Sequence, residues 1–153
     1  MSERNYDPMT KADVESAQFA WAKYVTEQDV DRLLALYDFG EPNAPLLFKP
    51  TLADVIRVDR AGAYSYFVGG DPRYPHDQGF LKLGWKSVEF QSAVGPLPEV
   101  GGLGYKDMGQ YTLTNSEGVA TRADYTFVYH KRDGTVLISL HHSSLTWSPT
   151  SAP

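Results

Sequence analysis

The chain has 153 residues, enough for one domain with a core of its own, and 42% hydrophobic with 13% aromatic content argues for a folded globule rather than a disordered one. Nineteen acidic against 14 basic residues give a net charge of −5, and no basic run exceeds Lys131-Arg132, which argues against a nucleic-acid partner. The absence of cysteine removes disulfides and thiolate metal sites and leaves the redox compartment open.

Met1 to Lys11 is polar and mixed in charge, unlike a signal peptide or a membrane span, so a cytoplasmic protein is expected, with residues 1–9 as a loose tail. Thr10 with Asp13 three residues on reads as a helix start. Val14, Ala17, Trp21 and Tyr24 or Val25 then recur at helical spacing to about Thr26. Asp29 caps a shorter helix carrying Val30, Leu33, Leu34 and Tyr37, which Gly40 and Pro42 stop.

Leu46 to Phe48 reads as a short buried strand, Pro50-Thr51 as a turn and Val55 to Val58 as a second strand. Ala61 to Val68 reads as a third helix despite Gly62, followed by an irregular loop to about Gly79. Four long strands come next: Leu83 to Val94, Leu103 to Thr114, Ala120 to Lys131 and Thr135 to Thr146. Asp133-Gly134 is a strong hairpin turn between the last two. The fold class is therefore α+β: a curved antiparallel sheet with helices packed on its concave face around a cone-shaped pocket. The single domain spans residues 10–147, with flexible tails at 1–9 and 148–153.

The last strand carries the candidate chemistry. With a two-residue period, one face holds Val136, Ile138 and Leu140 and then turns polar at His142 and Ser144. That places the imidazole and the hydroxyl of those two residues in the pocket, with the strand running through the middle of the sheet. His141 and Ser143 fall on the other, mixed face. Neighbouring histidines on a strand diverge, and His76 and His130 lie elsewhere, so no metal and no cofactor is expected. A core histidine bonded to Ser144 or to a tyrosine is the competing reading of His142. Ser144 lacks a nucleophile elbow, and Asp107 and Asp124 are expected at the surface. The remaining lining is neutral and hydroxyl-rich: Thr51 after the first strand, Tyr64 and Tyr66 from the third helix, Tyr105, Tyr111, Tyr125 and Tyr129 from the meander. Such a pocket suits a small polar ligand.

The run TFVYHKRDGTVLISLHHSS resembles the closing hairpin of the calcium/calmodulin-dependent kinase association domain, within the nuclear-transport-factor-two-like superfamily. It is most similar to the iota-type carbonic anhydrases, which share the Tyr125 to Tyr129 strand and the His141 to Ser144 motif; LLFKPTLADVIR and YSYFVGG resemble further pieces of that family. The resemblance implies carbon dioxide and bicarbonate as substrates, no obligatory metal, and Thr51, Tyr66, His142 and Ser144 as catalytic residues. Thr51, Tyr66, Ser144 and Tyr125 would hold the substrate, with Tyr64 as the other choice for the pocket tyrosine. A homodimer joined through the sheet is also expected, with no nucleic acid or membrane partner. A non-enzymatic oligomerising module of the kinase-hub type is the alternative, and an isomerase using Asp107 or Asp124 as base is a third reading.

Overall fold

Thr10 opens the first helix with a full capping box. The Asp13 amide donates to Thr10 Oγ1 at 3.2 Å and the Thr10 amide to Asp13 Oδ2 at 2.9 Å. The computed structural model describes residues 6–40 and 44–149, so the stop at Pro42 and the outer tails, 1–5 and 150–153, lie outside the described residues. Helix α1 runs Lys11–Thr26 and buries Val14, Ala17, Gln18, Trp21 and Val25. Helix α2, Val30–Leu34, is capped by Asp29 and is shorter than its apolar spacing suggested. The chain leaves it so that residues 36–38 can pair with the last strand: the Ile138 amide donates to Leu36 O at 2.8 Å, and the Asp38 amide to Ile138 O at 2.9 Å. Helix α3, Arg60–Val68, is capped by Asp59 and ends at Gly69, φ 80°. A Cβ at Gly62 would come within 3.0 Å of the Tyr74 hydroxyl, so close approach explains a glycine in this helix.

Among the described residues seven strands form one sheet: β1 Tyr6–Asp7, β2 Leu47–Lys49, β3 Trp85–Ser92, β4 Leu97–Pro98, β5 Gly104–Asn115, β6 Ala120–Arg132 and β7 Thr135–Leu145. The order is β2-β7-β6-β5-β3, with β1 on β6 and β4 on β5; only β2 and β7 run parallel. The α+β curved sheet is as expected, although its centre is β6, with β7 one strand further out. Asp133 and Gly134 turn with φ of 51° and 80°, the left-handed pair that a two-residue hairpin requires.

Four details differ from the sequence reading. The stretch expected as a loose tail supplies β1, and Met9 is buried. Val55 to Val58 makes only a bridge, in which Phe48 and Arg57 exchange amide bonds of 3.0 and 2.7 Å. Arg57 is the cause: its side chain turns inward to Asp77, leaving Val55, Ile56 and Val58 exposed. Leu83 ends a 3₁₀ turn, Phe80–Leu83, bracketed by Gly79 and Gly84 at positive φ. β4 occupies part of what read as turn. Among the described residues no helix is long and apolar enough to cross a membrane.

Candidate functional site

The inner face of the sheet is set by β6, where Ala123, Tyr125, Phe127 and Tyr129 are all buried. The Asp133-Gly134 turn pairs Tyr129 with Ile138. Continued without a break, that register would seat Leu140 beside Phe127 and His142 beside Tyr125. The break comes at Ser139. Val128 pairs with Leu140, so Ser139 is one extra residue, a β-bulge, with its hydroxyl donating to Val128 O at 3.3 Å. Beyond it every side chain changes face: His141 lies beside Phe127 and Ser143 beside Tyr125, 2% and 1% exposed. His142, exposed, and Ser144, half-buried, line an open hollow of about 720 Å³ on the outer face with Arg122, Asp124 and Met108. The expectation that His142 and Ser144 face the pocket is therefore corrected; their neighbours do.

Inside, the polar groups form one continuous chain. Trp21 Nε1 donates to Tyr37 OH at 3.0 Å, and that hydroxyl meets His141 Nδ1 at 2.9 Å. His141 Nε2 meets Tyr111 OH at 3.2 Å; Tyr111 donates to Ser143 Oγ at 2.5 Å, and Ser143 Oγ lies 2.6 Å from Thr51 Oγ1. Indole N–H can only donate, so Tyr37 accepts from Trp21. A chain running onward in the same sense has Tyr37 donating to Nδ1, His141 carrying its proton on Nε2 and donating to Tyr111, and Tyr111 donating to Ser143. At the far end Thr51 Oγ1 also lies 3.5 Å from the Tyr111 hydroxyl and bonds the Tyr66 phenol. Lys49 holds this end in place, its ammonium donating to Pro50 O at 2.8 Å and Ser143 O at 3.1 Å.

Burial keeps this chain uncharged. The His141 ring is stacked between Phe127 and Phe48, at centroid distances of 4.0 and 5.0 Å. That apolar sandwich pushes its pKa well below the usual imidazole value, with His142 adding a smaller effect of the same sign. Burial raises the Tyr111 phenol to about 12, against the hydrogen bonds of Ser143 and Thr51. The Tyr37 and Tyr66 phenols are raised by burial too.

Tyr66 is buried and Tyr64 is 41% exposed, so Tyr66 is the phenol that faces inward. It accepts from the Leu52 amide at 3.1 Å, with the Thr51 hydroxyl also acting on it. Tyr66 also borders a cavity of about 190 Å³ that Leu52, Phe80 and Leu83 line together with His76, Asp77, Gln78 and Gly79. Tyr66 is thus where the cavity and the hydroxyl chain meet. Tyr125 stacks on Tyr111, 5.2 Å between centroids, but spends its hydroxyl on Asp107 at 2.8 Å instead of joining Thr51. Asp107, expected at the surface, is 3% exposed and accepts from Gln18 at 2.6 Å and from Ser92. Asp124 does lie on the outer face, bonded to Gln110 and Thr146.

The structure thus brings Thr51 and Tyr66 together and replaces His142 and Ser144 by His141 and Ser143. Sequence reading passed over Trp21 and Tyr37 as plain packing. One signal was available: Ser139 interrupts the apolar run from Val136 to Leu140, where a bulge is easily seated.

The profile of the metal-independent carbonic anhydrases matches residues 12–145. A metal-independent carbonic anhydrase of Nostoc sp. (strain PCC 7120) is 35% identical over 161 aligned positions, covering 91% of this chain and 75% of its own length. The crystal structure of an iota-carbonic anhydrase from a cyanobacterium, complexed with bicarbonate, superposes with a TM-score of 0.79 at 31% identity, over 97% of this chain and 99% of that one. A calcium/calmodulin-dependent kinase II association domain from Xanthomonas campestris shares the fold, with a TM-score of 0.65 at 24% identity, over 95% of this chain and 98% of that one.

Proposed function

The chain belongs to the metal-independent carbonic anhydrase family, and from that premise we propose that it interconverts carbon dioxide and bicarbonate where Tyr66, Thr51 and Ser143 meet. One observation supports the placement: a hydrogen-bond chain that begins at a donor-only indole and ends on the Thr51 hydroxyl, which meets Ser143 and Tyr66 beside a small cavity.

Carbon dioxide is neutral and enters a cavity walled by Leu52, Phe80 and Leu83 without losing strong hydration. A water held by the hydroxyls attacks its carbon. As the new C–O bond forms, one C=O π bond breaks and negative charge develops on that oxygen. Thr51, with Tyr66 beside it, donates to the charge from a fixed position. Tyr111, His141 and Tyr37 orient Ser143 and Thr51 from behind and stay neutral while they do so. Because the groups are neutral hydroxyls, they stabilise charge by alignment; a zinc ion, by contrast, lowers the pKa of bound water from about 15.7 to about 7.

Stopped-flow hydration of carbon dioxide by chelator-treated protein tests this. The wild type is expected to exceed buffer, with kcat/KM falling about 10²–10³-fold in Ser143→Ala and Thr51→Val. A wild type no faster than buffer contradicts the reading.

We further infer that the enzyme works as a cytoplasmic homodimer, joined through the outer face of the sheet. Met108, 62% exposed in the middle of that face, and the mixed side chains around His142 support it. Light scattering and cell fractionation check the two statements.

A further inference from the structure

Hydration releases a proton, and the groups around the reacting carbon hold it poorly. His141 is enclosed between two phenylalanine rings, and the phenols around it are already protonated. The proton has to reach solvent through a group that exchanges readily near neutral pH, and imidazole is the side chain suited to that. The chain has four histidines. His130 is bonded to Asp38 at 2.7 Å beside Arg132, away from the cavity. His142 faces the opposite side of the sheet. His76 alone among them is both exposed and a lining residue of the cavity that ends on Tyr66. At about 190 Å³ that cavity has room for several waters.

We propose that His76 is the proton-transfer residue of the hydration reaction, carrying the proton from the waters beside Tyr66 to buffer in solvent. The proposal rests on the reading of the reaction given above. The balance is simple. Water's oxygen bonds to carbon, one of its O–H bonds breaks, and bicarbonate leaves with the new hydroxyl. The released proton crosses the cavity waters to a ring nitrogen of neutral His76, and a buffer base then removes it, restoring the imidazole.

The charged groups around the cavity are engaged with each other. Asp77 accepts from Arg57 at 2.7 and 2.8 Å and from Ser65 at 2.6 Å. Asp71 is paired with Arg73, 2.8 Å apart. The Lys82 stem lies over Gly79, and the Tyr74 ring lies under the Arg57 guanidinium at 3.9 Å. The Arg57–Asp77 clamp anchors the backbone next to His76, which keeps that residue at the cavity.

No group beside the reacting carbon stores the proton, so it leaves as the C–O bond forms and its transfer enters both kcat and kcat/KM. In dilute buffer, His76→Ala is expected to lower kcat and kcat/KM together at least about tenfold, and added imidazole to restore both. His142→Ala, whose side chain lies on the outer face, should match the wild type in the same buffer. An unchanged kcat in His76→Ala, or a fall that imidazole does not rescue, overturns the proposal. A chelator-treated wild type without hydration activity would instead remove the underlying reading, and the proposal with it.

Discussion

Four consecutive residues, His-His-Ser-Ser, give β7 two chemically similar pairs on opposite faces of one sheet. The inner pair, His141 and Ser143, is enclosed and hydrogen-bonded to three side chains, Tyr37, Tyr111 and Thr51; the outer pair, His142 and Ser144, borders an open hollow. Residue type is the same, and only surroundings differ. Burial makes the inner imidazole hold charge poorly, while the inner hydroxyl sits within a chain of hydrogen bonds. The single bulge decides which pair goes inside, and so which pair the proposed site uses.

The largest expected effect comes from removing that bulge. Deleting Ser139 would turn either Ile138 or the His141 and Ser143 pair to the wrong face, since a one-residue slip inverts every side chain beyond it. Hydration activity is expected to fall to the buffer rate and thermal stability to drop; retained activity would show that the register does not select the reacting pair. Next is Arg57→Ala, which leaves Asp77 buried without its bidentate partner, both side chains being under 5% exposed. A loss of about 3–5 kcal/mol in urea unfolding is expected, the usual cost of breaking a buried ion pair.

A pH test probes the inner histidine. The folded pKa of His141 lies below its unfolded value, so the unfolded chain binds the extra proton as pH falls below about 6.5. Stability from this group is complete above that pH and is lost toward the folded pKa, at no more than about 1.4 kcal/mol per pH unit. Urea unfolding at pH 7.5 and 5.5 should show a smaller pH-dependent loss in His141→Gln than in the wild type. Smallest of all is Ser144→Ala, expected to alter kcat/KM by less than about twofold, because its hydroxyl lies on the face opposite the hydroxyl chain.

The elements that were legible in the sequence are those written in local signals. Thr10 with Asp13, Asp29, and Asp133-Gly134 each fix a boundary through neighbours a few residues away, and the structure has all of them in place. The alternation of Ala123, Tyr125, Phe127 and Tyr129 likewise declares the inner face of β6. What escaped is decided at long range. The bulge at Ser139 sits where β7 passes from pairing with residues 36–38 to pairing with β2, and neither partner can be inferred from β7 itself. Asp107 is buried because Gln18, 89 positions away, comes to meet it. Thr51 and Tyr66 were named through family resemblance, since nothing in their spacing distinguishes them from other hydroxyls.

A crystal of this protein soaked in bicarbonate addresses the central claim most directly. The anion is expected beside Tyr66, with an oxygen within hydrogen-bond distance of Thr51 Oγ1 and with Ser143 behind it. An anion found instead on the outer face, against His142 and Ser144 with the inner hydroxyls untouched, would contradict the account.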